Sequence, residues 1–164
     1  MGTRSGDVDP ALHERLADLR GLDIAGVTSL LNRESGLLGL SELSGDMREL
    51  EAAAFAGHAG ALRAIEVFCY RLAKTLASLV VPLGGLDALV FTGGIGENSA
   101  GTRERTVNWL EPLGLSLDPQ RNQNNGTHAD GFVSPDGKTP ILVVTCDEEV
   151  AIAEETASQL TESR

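Results

Sequence analysis

The sequence predicts an α/β fold with a long helical stretch ahead of its first strand. Three observations carry this reading. Two apolar runs, Ala88 to Phe91 and Pro140 to Thr145, are too short for helices and rich enough in branched or aromatic residues to be buried strands. Helical patterns lie between and after them, so strand and helix alternate across the second half. The first run empties into a glycine-rich turn, Thr92-Gly-Gly-Ile-Gly-Glu-Asn-Ser99, that opens a helix.

The elements follow in order. Asp9-Pro10 places an N-cap before a proline at the first helical position, which predicts a helix to about Leu19. A second helix is expected from about Ala25 to Arg33, and Ser35 to Glu42 is a connecting loop or short helix. Asp46-x-x-Glu49 is a capping-box start for a helix through Phe55. Leu62, Ile65, Phe68, Leu72, Leu76 and Leu79 recur at three- and four-residue intervals and define one apolar face of a helix from about Ala59 to Val81. That face is core or a subunit interface. After the first strand a helix is expected from about Ser99 to Leu113, capped by Asn98 or Ser99. Pro119 to Asp136 is polar and glycine-rich and is expected to be an exposed excursion. Thr145-x-x-Glu148 predicts a capping box for a terminal helix through about Leu160.

Composition narrows the function. The chain has 164 residues, one domain's worth or part of one. Thirteen Lys and Arg stand against 24 Asp and Glu, and a net charge of −11 argues against a nucleic-acid partner. The most apolar run, Leu76 to Leu86, is broken by Pro82 and a glycine pair, well short of the ~20 residues of a membrane span. The N-terminus has no apolar signal core, and Gly6 stands where a myristoylation signal needs Ser or Thr, so a cytoplasmic location is expected. Cys69 and Cys146 lie in apolar surroundings without CxxC spacing and are expected to be buried thiols. His13, His58 and His128 have no ligand spacing and are expected at the surface.

The glycine-rich turn admits two readings. It is a tight connection, or Gly93, Gly94 and Gly96 take positive φ and let a phosphate or nucleotide approach the backbone at a helix N-terminus. Gly94-x-Gly96-x-x-Ser99 is similar to a dinucleotide fingerprint without its third glycine, and no βαβαβ pattern surrounds it, which leaves a Rossmann-like binder as the weaker alternative. Gly137-Lys138-Thr139 is not the end of a P-loop. Phe132 occupies the first glycine position, and Pro140 and a strand follow where a helix should begin.

Four segments, Gly2-Thr-Arg-Ser-Gly-Asp-Val-Asp-Pro10, Ser44-Gly-Asp-Met-Arg48, Phe91-Thr-Gly-Gly-Ile-Gly-Glu-Asn-Ser99 and Asp147-Glu-Glu149, resemble the acetate kinase family in order and spacing. The resemblance covers essentially the whole chain and only the C-terminal portion of the family's protein. It implies part of a ribonuclease-H-like lobe of the actin, sugar-kinase and Hsp70 ATPase group, carrying the long helical insertion, with residues 1–164 a C-terminal nucleotide-binding lobe incomplete at its N-terminal edge. The implied reaction is reversible phosphoryl transfer between ATP and acetate, or another short-chain carboxylate, giving ADP and acetyl phosphate. Arg4 matches the arginine that stabilises the phosphoryl group in flight, a role suited to a guanidinium with fixed donors. Asp46, Met47 and Arg48 match an adenosine-contacting segment, and Gly94, Ile95, Gly96, Glu97 and Asn98 match a second nucleotide-binding segment. Glu148 matches the acidic residue that holds the Mg²⁺ shell, although Thr145-Cys146-Asp147 departs from the family's usual Pro-Thr-Asn or Pro-Thr-Asp.

The resemblance also implies a homodimer through the C-terminal lobe, and an N-terminal lobe carrying the catalytic aspartate, a second substrate-binding arginine and two histidines. None of the three histidines here matches those positions. A chain without that lobe is expected to be inactive alone. The competing reading is a non-catalytic nucleotide-binding or dimerisation module.

Overall fold

The computed structural model describes residues 2–162, without the side chains of residues 148, 151, 154 and 160–162. The chain divides into two compact units, Met1–Ser78 and Leu79–Arg164.

The first unit is helical: α1 (Leu12–Arg20), α2 (Ile24–Arg33), α3 (Gly36–Ser41), α4 (Met47–Phe55) and the greater part of α5 (Ala59–Leu83). The α1 helix starts two residues later than the proline signal predicts, because the Asp9 carboxylate accepts from the N–H of Ala11 at 2.8 Å and holds residues 9–11 as a turn. Asp23 caps α2 by accepting from the N–H of Gly26 at 2.8 Å. The expected capping box at α4 is only half formed. Asp46 caps the helix, but its own N–H donates to Ser44 Oγ at 3.0 Å and not to Glu49. His58 is exposed, as expected, yet its Nδ1 accepts from the N–H of Ala61 at 3.1 Å and caps α5.

The core of this unit is Val27, Leu37, Met47, Leu50, Ala61, Ala64, Ile65, Cys69 and Ala73. Of the predicted α5 stripe, Ile65 is buried while Leu62 and Leu79 are 46% and 50% exposed, and Ala61, Ala64, Cys69 and Ala73 complete the buried face. Small residues carry the packing because the neighbours come close. A Cβ on Gly60 would lie 2.5 Å from the carbonyl oxygen of Ser41. The helix also runs past Val81 to include Pro82, then stops where Gly84 turns left-handed with φ 72°.

The second unit holds the sheet. Strands β1 (Leu89–Phe91) and β2 (Ile141–Val143) pair in parallel, with Leu89 opposite Ile141 and Phe91 opposite Val143. The crossover runs through α6 (Gly93–Asn98), α7 (Ala100–Trp109), a 3-10 turn (Glu111–Leu113) and α8 (Pro119–Gln123), and α9 (Glu148–Glu162) follows β2. On the other side of β2, Val133 N–H donates to Ile141 O and Val143 N–H to Gly131 O, both at 2.8 Å. The far edge of β1 pairs with no described strand, and strand alternation turns the N–H and C=O of Val90 toward it. Leu89, Phe91, Val107, Leu110, Leu115, Val133 and Ile141 form this unit's core.

Four expectations are corrected here. The glycine-rich turn is itself a short helix, α6, and the helix beginning at Ala100 breaks at Trp109 instead of reaching Leu113. Residues 119–136 are not an exposed excursion: α8 forms, and Asn122, Val133 and Ser134 are buried. The terminal helix is capped by Asp147, whose Oδ1 accepts from the N–H of Val150 at 3.0 Å, so Thr145 is not the cap.

Candidate functional site

In the first unit, backbone bonds sew the segment carrying Arg4 to the helices behind it. Ser5 N–H donates to Leu31 O, Ser35 N–H to Thr3 O and Leu38 N–H to Gly2 O, each at 2.8 Å. The same segment touches the turn before α4. A Cβ on Gly2 would sit 2.7 Å from the Gly45 carbonyl oxygen, and one on Gly45 would meet the Gly2 carbonyl at 3.0 Å. Two of the sequence-matched segments, residues 2–5 and 44–48, are thereby brought into contact by paired glycines, a close approach with no periodic signal in the sequence. Arg4 is exposed and makes no hydrogen bond or ion pair with the described residues. It lines a cleft of about 570 Å³ together with Asp7, Leu37, Phe68 and Arg71. Arg71 is occupied by Asp7 at 2.6 Å.

Asp46 and Arg48 are bound to each other. Asp46 Oδ1 accepts from the Arg48 backbone N–H at 2.8 Å and from Nε at 3.2 Å, and Oδ2 accepts from Nη2 at 2.7 Å. This two-pronged pairing leaves the Arg48 side chain 88% exposed, while the Met47 side chain is buried in the core. The Arg48 side chain, then its backbone N–H, lower the Asp46 pKa from 3.8 to about 2, and Asp46 in turn raises that of Arg48. A carboxylate with a depressed folded-state pKa contributes stability that is complete above pH 3.8 and lost as pH falls through about 2. Carbonyl-carbon NMR should therefore show Asp46 titrating near pH 2, and Asp46→Asn should flatten the decline in melting temperature between about pH 4 and 2. A decline of equal steepness in that variant would assign the loss to other carboxylates.

In the second unit, residues 94–98 lie on α6. Of the three glycines in the turn, only Gly93 takes positive φ, at 72°. A Cβ on Gly93 or Gly94 would meet nothing within 4 Å, and one on Gly96 would make ordinary contact with Phe91 at 3.4 Å. Gly94 therefore faces open space with no internal neighbour that requires glycine. Asn98 Nδ2 donates to Gly94 O at 2.9 Å. Glu97, Asn98, Asn125, Thr127, Val143 and Thr145 are among the residues lining a polar cleft of about 360 Å³.

Two partners of this segment were not legible in the sequence. Glu97 Oε1 accepts from the backbone N–H of Gly93 at 2.9 Å and from that of Cys146 at 3.0 Å, 49 residues away. Arg103 is fully buried on α7, and its five N–H donors meet five acceptors. Nη1 donates to the carbonyls of Gly96 at 2.8 Å and Glu97 at 3.0 Å, Nε to Asn122 Oδ1 and Nη2 to Asn122 O at 2.7 Å, and Nη2 also to Asn125 Oδ1. No carboxylate is among these partners, and burial lowers its pKa. Arg103 closes the C-terminal end of α6 and pins it to residues 122–125.

Glu148 is the first residue of α9, and its side chain lies outside the described residues. No group of three or more His, Cys, Asp or Glu side chains is placed to hold a metal among the described residues. Cys69 is buried as expected, whereas Cys146 is exposed, because β2 ends at Val143 and the chain leaves the core there. No helix among the described residues is long and apolar enough to cross a membrane.

The acetokinase family model matches residues 1–154. The chain is 55% identical over 157 residues to an acetate kinase of Chromobacterium violaceum, covering 96% of this chain and 40% of that protein. Among solved structures it is similar to the acetate kinase of Porphyromonas gingivalis, with TM-score 0.87 and 39% identity over 98% of this chain and 40% of the other. A propionate kinase of Francisella tularensis matches with TM-score 0.86 and 41% identity, over 94% of this chain and 39% of the other. The chain spans about two-fifths of the length of the curated relatives it matches.

Proposed function

This chain belongs to the acetokinase family, and on that premise we propose that it is the C-terminal nucleotide-binding portion of an acetate kinase. The reaction is reversible phosphoryl transfer between ATP and acetate, or another short-chain carboxylate. The fold is then part of a ribonuclease-H-like lobe of the actin, sugar-kinase and Hsp70 ATPase group. The observation that carries the nucleotide reading is Gly94. Gly94 stands in the first turn of α6, where alanine would be the better helix former. Nothing within 4 Å in the protein requires it, so its small size serves something that approaches from outside.

On the family resemblance, residues 94–98 offer backbone to the nucleotide, residues 46–48 are an adenosine-contacting segment, and Arg4 places fixed donors on the phosphoryl oxygens as negative charge spreads over them. Mg²⁺ beside phosphates needs no protein cage, one carboxylate and waters sufficing, and Glu148 is the carboxylate we assign on the family resemblance. The ion would neutralise charge on the phosphates. Of this chain's own groups, Arg4 is poised for the task by its exposure and its lack of a partner among the described residues. We further propose a homodimer in the cytoplasm, supported by the exposed Leu62 and Leu79.

Calorimetric titration tests this reading. ADP with Mg²⁺ should bind, NAD should not, and Glu148→Gln should weaken Mg-ADP while leaving metal-free ADP nearly unchanged. Preference for NAD would return the Rossmann-like alternative, and equal loss with and without metal would remove Glu148 from the metal. Light scattering on the same samples should give the mass of two chains.

A further inference from the structure

The parallel ladder between β1 and β2 ends with Val144 N–H donating to Phe91 O at 2.9 Å. Beyond that point the two strands diverge, one into α6 and the other toward α9. The next backbone donors on the two sides, Gly93 N–H and Cys146 N–H, both turn to a single atom, Glu97 Oε1, at 2.9 and 3.0 Å. A side-chain carboxylate thus stands where the next rung of the ladder would be. Bonds from two N–H groups to an ionised oxygen are stronger than the neutral backbone bonds they replace.

We infer that Glu97 is a positioning residue, whose carboxylate fastens the glycine segment of residues 93–98 to the 144–147 loop that leads into Glu148. The inference rests on the nucleotide reading above and changes the part Glu97 plays in it. A carboxylate facing a polyphosphate repels it, and Oε1 is already engaged by two donors. Glu97 therefore serves the nucleotide through backbone geometry. The segment proposed to meet the nucleotide and the loop proposed to carry the metal carboxylate are made to move as one body, so occupation of one favours occupation of the other.

Two measurements on the 164-residue chain test this. Without any ligand, amide hydrogen exchange in Glu97→Ala should quicken at Gly93 and Cys146 by about tenfold or more, while Val144, held by Phe91, stays protected. With ligand, the factor by which Mg²⁺ raises ADP affinity should fall by about tenfold in Glu97→Ala and return to within about threefold of the parent in Glu97→Gln, whose amide oxygen still accepts both bonds. Unchanged exchange at Cys146, or loss of protection at Val144 as well, would overturn the strap. Glu97→Gln behaving like Glu97→Ala would make the charge itself the ligand and overturn it equally. Failure of the parent chain to bind ADP would count against the nucleotide reading alone, since the ligand-free exchange reports the strap independently.

Discussion

Arg103→Ala should unfold the second unit at temperatures where the parent is intact. Removing the guanidinium strands the carbonyls of Gly96, Glu97 and Asn122 and the side-chain oxygens of Asn122 and Asn125, and it opens a void where a fully buried side chain stood. Each buried acceptor left without a donor costs about 1–3 kcal/mol before water re-enters, so a net loss of about 3–5 kcal/mol is expected, a large share of the total for a small domain. Arg103→Lys should recover only part of this, because three donors on one nitrogen cannot reach acceptors spread around a planar fork. The chain's single tryptophan, Trp109, lies on α7, so its fluorescence follows this unit during denaturation. A shift of the midpoint by less than about 1 kcal/mol would mean that water replaces the guanidinium without cost.

Arg4→Ala should leave folding unchanged and remove catalysis. The 164-residue chain alone should form no acetyl phosphate, because the groups that position the acyl carboxylate are, on the family resemblance, carried by the other lobe. Mixing with the N-terminal portion of an acetate kinase should restore turnover, and Arg4→Ala in the mixture should lower it by about 10³-fold or more, as loss of a phosphoryl-stabilising arginine does elsewhere. Circular dichroism should not change, since Arg4 is exposed and bonds to no described residue. Turnover by the chain on its own, or by the Arg4→Ala mixture at the parent rate, would overturn these roles.

The strands and the long helix were legible because their signals are local. Proline and glycine bound the apolar runs at 88–91 and 140–145, and both contain strands of three residues. The buried face of α5 was legible only in part: Ile65 of the apolar stripe is buried, but hydropathy underweights Ala61, Ala64 and Ala73, which complete the packing. Residues 119–136 were misread for the opposite reason. Composition cannot distinguish a polar side chain facing water from one, like Asn122, whose oxygen and amide are both taken up, by Arg103 and by the carbonyl of Ala100. At the terminal helix two capping residues competed, and Asp147 won over Thr145. The contiguous site segments were readable from their motifs. The Glu97 bond to Cys146 and the contact of Gly2 with Gly45 were not, because each joins residues more than 40 positions apart.

The edge of β1 that pairs with no described strand has a bearing on how this chain behaves in concentrated solution. A two-stranded sheet is marginal by itself, and an outward N–H and C=O at a half-exposed valine form a template that accepts any extended segment of suitable register. Such capture needs no side-chain complementarity and grows with the supply of free strands. The surplus of acidic groups opposes it by mutual repulsion, which salt weakens. At this edge an open backbone row and the overall charge act in opposite directions, and high ionic strength weakens only the charge.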